Sequence, residues 1–408
     1  MSYEAPVIGE RGPVGDWGSD YDLFEDGYVR DPYAIWSDIR ARCPVATSER
    51  FGGSHLVIGY EAVVEAAAKT GVLTSTLGTS SAPTLEDFTD PNRPRSIINS
   101  DPPHHAAPRR LLLPSLAPGV VTTYEPITRA LCERLVERMG DNRVVDAAVD
   151  YAQQIPAWVI GRMLGVPESR TPQFIGWVRD ILEHGALDPE RRAVAFTELT
   201  ADFAGELADR RANPRDDLIT HLAQGTMDDG TPLPDRDVLG NLGLLLIAGI
   251  DTTWSAIGSS LWHLAQRPDQ VRQLHEQPEL WPTAVEELLR AYAPVTMGRI
   301  ATAETEVAGC PVPHGRRVLL SFPAANRDPE VFERPDDVLL DREHNRHVAF
   351  GSGIHRCAGS NLARMELRVA LQVWLERIPA FRLADPAAVT WAGGQVRGPR
   401  SVPVVRGG

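Results

Sequence analysis

Apolar positions recur at helical spacing along much of this chain. In "DPYAIWSDIRARCP", Ile35, Trp36 and Ile39 fall on one face, Asp31 is placed to cap, Pro32 suits the first helical position and Pro44 follows the stop. The period then breaks into two short β-prone runs in "CPVATSERFGGSHLVIGY", and Gly52 and Gly53 between them predict a hairpin. "YEAVVEAAAKTG" returns to a helix that stops at Gly71. From Ser75 to about Pro103 the pattern lapses into Ser, Thr, Pro and Asp, a length that marks a functional or mobile loop. Helical patterns dominate between residues 118 and 290, notably "PGVVTTYEPITRALCERLVERMG", "YAQQIPAWVIGRMLG" and the long "DVLGNLGLLLIAGIDTTWSAIGSSLWHLAQR". Strand-like pieces return in "GRRVLLSF" and "SVPVV", and no internal repeat is present. The expected fold is mainly α with small peripheral β-sheets.

Composition narrows this. The 408 residues are 43% hydrophobic and 24% charged, the balance of a globular chain with a large core. No Gly/Ser-rich or charge-block linker divides the chain, so a single domain over residues 1–408 is expected. Lys plus Arg number 41 against 55 Asp plus Glu, a formal charge of -14, which argues against a general nucleic-acid binder. The first twenty residues lack the basic and apolar regions of a signal peptide. The longest apolar run, Leu242 to Ile250, is too short to cross a bilayer and ends at Asp251. A cytoplasmic location without membrane association is expected.

The four cysteines, Cys43, Cys132, Cys310 and Cys357, are far apart and form no CxxC pair, so neither a zinc site nor a dense disulfide framework is indicated. The first three read as buried or half-buried thiols. Cys357 stands in "FGSGIHRCAG", where Gly351, Gly353 and Gly359 permit tight turns that aim amides at one atom. Leu362, Met365, Val369 and Val373 recur at helical spacing just beyond, so the positive end of a helix would favour a thiolate. Taken alone, the loop fits metal or cofactor ligation and equally a Gly-rich turn with a chance cysteine.

Three upstream segments bear on that choice. In "AVEELLRAYAP", Glu287 and Arg290 share one helical face, an arrangement that is usually a solvated ion pair. "AGIDTT" puts Asp251 and Thr252 into an apolar helix, where a carboxylate needs partners, and Thr252 can bond back to a carbonyl near Ala248 beside the helix-weakening Gly249. "DPPHHAAPRR" and "MGRIA" supply His105, Arg109 and Arg299, which taken one by one are ordinary surface residues.

The pattern Phe350-Gly351-x-Gly353-x-His355-x-Cys357-x-Gly359, together with these three segments, resembles the cytochrome P450 family over nearly the whole chain, from "DPYAIW" to "VRGPRSVPV". The resemblance implies the single-domain P450 fold, with haem b between the long central helix and the helix after the cysteine loop. It makes Cys357 the thiolate ligand of the iron. Phe350, Gly351, Gly353, His355, Gly359, Ala248 and Gly249 become haem contacts, and His105, Arg109 and Arg299 partners of its propionates. Asp251 and Thr252 match the acid–alcohol pair that relays protons to bound O2. Glu287 and Arg290 become a buried structural pair bonding towards "NRDPEVFERPDDVLLDR". His104 stands where the family commonly has Glu, and Pro108 is unusual within an expected helix.

The implied activity is monooxygenation: one oxygen atom from O2 enters a hydrophobic small molecule by hydroxylation, epoxidation or dealkylation. The chain leaves no length for a fused reductase, so a separate iron-sulfur ferredoxin or flavodoxin with an NAD(P)H-dependent reductase is expected. Arg109, Arg110, Arg356 and Arg364 are candidates for a basic patch that receives it. The expected substrate pocket draws on the 75–100 loop, Leu244, Ala248, Val295, Thr296, Met297 and Gln395. Arg93 or Arg95 would bind an acidic substrate group or stay a solvated loop arginine. A peroxygenase driven by H2O2 is the first alternative, disfavoured by the intact Asp251–Thr252 pair. A non-enzymatic haem sensor, which needs no proton relay, is the second.

Overall fold

The computed structural model describes residues 12–76 and 94–407. A helix of 30 residues, Asp235–Leu264, runs through its centre. Every residue from Thr253 to Leu261 on that helix is buried, because this segment is apolar or small on all sides and must be covered all round. The helix is longer than its apolar run, and by length and composition it could cross a bilayer. Most of that stretch is instead buried inside the protein, as in a core helix. The helices Gln154–Leu164, Thr171–Leu182, Pro189–Ala212 and Ser360–Arg377 pack around it. One cluster that includes Phe174, Phe203, Trp254 and Trp374 unites them. At Gly249 a Cβ would lie 2.8 Å from the Ile160 side chain, so a glycine here lets the two helices meet.

The β-structure lies at the periphery. A five-stranded sheet runs in the order Val45–Ser48, Ser54–Val57, Arg317–Ser321, Thr296–Ala301, Leu73–Thr74. Its one parallel pairing joins Ser54–Val57 to Arg317–Ser321. A three-stranded sheet joins Val144–Asp146, Pro403–Arg406 and Phe381–Leu383, and among the described residues two hairpins complete the set, one of them Thr305–Val307 with Cys310–Val312. The mainly α expectation with peripheral sheets holds, including the hairpin across Gly52 and Gly53.

Boundaries moved where local chemistry differs from the pattern. The first long helix starts at Tyr33 rather than Pro32, and Asp31 still accepts the Tyr33 amide at 3.3 Å. Tyr60–Ala68 ends short of Gly71. Pro108 falls in the first turn of Ala106–Leu112, where a backbone N–H has no intrahelical acceptor to lose.

Candidate functional site

A cavity of about 220 Å³ opens between the central helix and the cysteine loop. Leu244, Ala248, Gly249 and Thr252 line it from the helix, and Phe350, Gly351, Cys357 and Gly359 from the loop. The Cys357 amide donates to the Phe350 carbonyl at 2.8 Å, which closes the loop. Gly351 and Gly353 hold φ of 70° and 71°, the left-handed region that favours glycine. Gly353 does not line the cavity: a Cβ there would sit 3.0 Å from the Ala67 carbonyl oxygen, so its smallness seats the loop on the helix Tyr60–Ala68. The helix Ser360–Arg377 begins three residues after Cys357, and its buried face includes Leu362, Met365, Val369 and Val373.

Cys357 is open to the cavity, yet protein packs closely enough around the sulfur for burial to raise the thiol's pKa. A hydrogen bond from the Gly359 amide and the charges of Arg109, Arg356 and Arg364 act the other way and favour thiolate. Arg364 also lies 4.5 Å over the Phe350 ring and makes a two-pronged pair with Glu286 at 2.6 and 2.8 Å.

Glu287 and Arg290 are fully buried and meet at 2.7 Å, not the solvated pair their spacing alone suggests. Arg290 donates to the carbonyls of Asn326, Pro335 and Asp337 at 2.8–2.9 Å. Glu287 accepts from the Leu339 amide at 2.8 Å and from Arg342 at 2.9 Å. Asn326 in turn accepts the Val348 amide at 2.7 Å, two residues before the cysteine loop opens. The irregular chain ahead of Cys357 is thus bolted to one helix.

On the polar side, the rings of His105 and His355 lie 4.7 Å apart. Nε2 of His355 is 2.9 Å from the Ser75 hydroxyl and 3.5 Å from Asp101. Arg299 and Arg109 line the cavity, whereas His105 stands behind His355. Among the described residues, Nε2 of His105 and Nε of Arg299 are buried without a hydrogen-bond partner, and Nη1 of Arg299 bonds to the Gly298 carbonyl. Burial pushes His105 down to about 4, helped by the neighbouring charges of His355 and Arg109. Burial likewise lowers Arg299 to about 10, with Asp101 opposing. Orphaned buried donors are rare, and a ligand bearing carboxylates would complete these.

The Thr252 hydroxyl donates to the Ala248 carbonyl at 2.7 Å, and the helix runs on unbroken. Asp251 is buried and does not line the cavity; Oδ1 meets Nη2 of Arg400 at 2.8 Å. This is a charge contact without hydrogen-bond alignment, since neither Asp251 oxygen has an aligned donor. Arg400 continues to Glu183 at 3.1 Å, and Glu183 to Arg179 at 3.1 Å. Burial raises the Asp251 pKa while Arg400 pulls it down. No motif marks Arg400; the available signal is an arginine in the otherwise apolar "GPRSVPVV".

The pocket expectation divides. Leu244, Ala248, Val295 and Met297 line the cavity, joined by Ile97, Ile98 and Ile160. Thr296 and Gln395 do not: the Thr296 amide donates to the Gln395 carbonyl at 2.9 Å, and Thr296 is held in the sheet opposite Ser321. Arg95 makes a two-pronged pair with buried Asp237 at 2.7 and 2.9 Å rather than facing a substrate. Arg93 and most of the 75–100 loop lie outside the described residues. Of the basic patch, Arg110 pairs with Asp228 and Arg364 with Glu286, which leaves Arg356 and the half-buried Arg109 as its charges.

A mainly helical fold with a cysteine loop beneath an apolar cavity is the architecture of oxygen-activating haem-thiolate proteins. The Cytochrome P450 family profile matches residues 192–384. Mycinamicin IV hydroxylase/epoxidase of Micromonospora griseorubida is 36% identical over 317 residues, 76% of this chain and 79% of that protein. Nocardicin C N-oxygenase of Nocardia uniformis subsp. tsuyamanensis is 38% identical over 317 residues, with the same shares of 76% and 79%. The solved structure of the bacillaene polyketide synthase cytochrome P450 PksS of Bacillus subtilis 168 matches with a TM-score of 0.87 at 27% identity, covering 95% of this chain and 100% of that one. The chain belongs to the cytochrome P450 family. It is a monooxygenase of the bacterial type, and the family implies a haem, which the orphaned donors and the cysteine-lined cavity fit.

Proposed function

We propose that the chain works as one catalytic domain, a b-type haem-thiolate monooxygenase that hydroxylates or epoxidises a small hydrophobic molecule in the cytoplasm. Electrons come from a separate ferredoxin or flavodoxin and its NAD(P)H-dependent reductase. The observation that carries this reading is that Cys357 and Thr252 share one cavity whose remaining wall is largely aliphatic.

The haem, when bound, supplies the activation of dioxygen. Cys357 Sγ would hold its iron, and Arg109, Arg299 and His355 would bind its two carboxylates, with His105 packed behind His355. Ile97, Leu244, Ala248, Val295 and Met297 exclude water and orient an apolar substrate. Thr252 Oγ1 delivers a proton into the cavity after leaving its bond to Ala248. Asp251 replenishes that proton, and Arg400, Glu183 and Arg179 connect the carboxyl electrically to the surface. Exposed Arg356, on the cysteine side, receives an acidic electron donor.

The test is the absorption spectrum of the reduced, CO-treated holoprotein, wild type beside Cys357→Ser. A strongly red-shifted Soret band that the variant lacks is the expected result. Bound haem without such a band in the wild type refutes the reading.

A further inference from the structure

We propose that Cys43 and Cys310 are a modification site: a reversible disulfide that fastens the start of the five-stranded sheet to the hairpin beside it. Their sulfurs are 3.5 Å apart although the residues are 267 positions apart in sequence. Both are half-buried free thiols packed against the cluster that contains Val57, Val307 and Val312. Each sits on fixed backbone. Cys43 ends the helix Tyr33–Arg42, its amide bonded to the Ile39 carbonyl at 2.9 Å, and leads into the edge strand Val45–Ser48. Cys310 opens the strand Cys310–Val312 and pairs with Val307. A disulfide has sulfurs about 2.05 Å apart, so the two must close by roughly 1.5 Å to bond. Among the described residues no other two cysteines are in contact: Cys132 is buried in the core and Cys357 faces the cavity.

Burial and the contact with Cys43 push the Cys310 thiol up. The oxidant is a low-molecular-weight disulfide. The Cys43 thiolate attacks one of its sulfurs and expels one small thiolate. Cys310 then loses its proton to solvent and attacks the Cys43 sulfur of the mixed disulfide, expelling the second thiolate. Two protein thiols are oxidised and one small disulfide is reduced to two thiols.

The bond has a structural consequence. The hairpin carrying Cys310 lies in the connection between Thr296–Ala301 and Arg317–Ser321, and the first of these strands supplies Met297 and Arg299 to the cavity. Joining it to residue 43 closes a very long covalent loop around the sheet, and long loops remove the most freedom from the unfolded chain.

The experiment treats the holoprotein with oxidised glutathione and maps tryptic peptides without reduction. The expected product joins residues 43–50 to residues 300–316 and is two hydrogens lighter than the two peptides together. The melting temperature rises by roughly 5 °C and returns on adding dithiothreitol. Cys43→Ser and Cys310→Ser each abolish the linked peptide and the rise. Only glutathione adducts, unmodified thiols, a bond between two chains, or a linked peptide with unchanged melting would overturn the proposal. A serine variant that fails to fold leaves the wild-type peptide map to decide.

Discussion

Replacing Arg400 by Gln removes the counter-charge of Asp251 and keeps a side chain of comparable polarity. The two side chains are 9% and 2% exposed, so solvent screens their interaction little. Opposite charges about 4 Å apart attract by about 4 kcal/mol at an effective dielectric near 20. Breaking a buried pair from one side costs about 3–5 kcal/mol by general experience. The loss is about 3 kcal/mol at pH 7.5, because the second partner, Glu183, is partly solvated and relaxes readily. With an unfolding entropy of about 2.1 cal/mol/K per residue over this length, the melting temperature falls by about 3 °C. The sign with pH follows from burial, which holds the Asp251 pKa above its ordinary value. Below that ordinary value the carboxyl is protonated folded and unfolded, and the variant loses no ion pair with Asp251. As pH rises the unfolded chain releases the proton first, and stability drops until the folded pKa is passed. That pKa is higher still without Arg400, so the gap between variant and wild type widens as pH rises and is smaller at pH 5 than at pH 7.5. Thermal unfolding of both holoproteins at the two pH values measures it, and the same substitution in an Asp251→Asn background isolates the pair. An equal deficit at both pH values, or simple additivity with Asp251→Asn, would refute the argument.

Thr252→Ala removes the hydroxyl that reaches the cavity, so product per reductant falls at least about tenfold while hydrogen peroxide rises; Thr252→Ser keeps most of the product, and stoichiometry of NAD(P)H, peroxide and product checks both. Glu287→Gln leaves Arg290, fully buried, without its counter-charge at a cost of about 3–5 kcal/mol, and the haem content of purified protein drops sharply. His105, held near 4 in the folded chain, refuses a proton that the unfolded chain accepts below about 6.5, so the apoprotein loses stability as pH falls through that window. His105→Gln removes this component, and its melting temperature falls less than the wild type's between pH 7 and pH 5.

Much of the helical frame is legible because period and punctuation agree. Leu362, Met365, Val369 and Val373 announce the helix after the cysteine and are buried on it. Thr252 and Ala248, four residues apart on one helix, make the back-bond their spacing allows. Gly353 is a different case, since composition marks a turn but not what the turn touches; the Ala67 carbonyl comes from another segment. Thr296 and Gln395 show the same limit, because strand register turns them to each other and away from the cavity. Charge counting overstated the basic patch for the same reason: Asp228 and Glu286 are close to Arg110 and Arg364 only in space.

What is legible therefore depends on where a residue's partner lies. Glu287 and Arg290 have each other within one turn of helix, and their spacing is a signal even though it says nothing of Asn326, Pro335 or Asp337. Asp251 and Arg400, Arg95 and Asp237, and Cys43 and Cys310 have partners on distant segments, so no spacing marks them. Pairing of this kind constrains the sum of two positions rather than either one. The Arg95–Asp237 pair seats the chain against Gly240, where a Cβ would meet the Arg95 backbone at 2.3 Å. Cys357 has no such freedom, because its role in the proposed site is fixed by the chemistry of one atom.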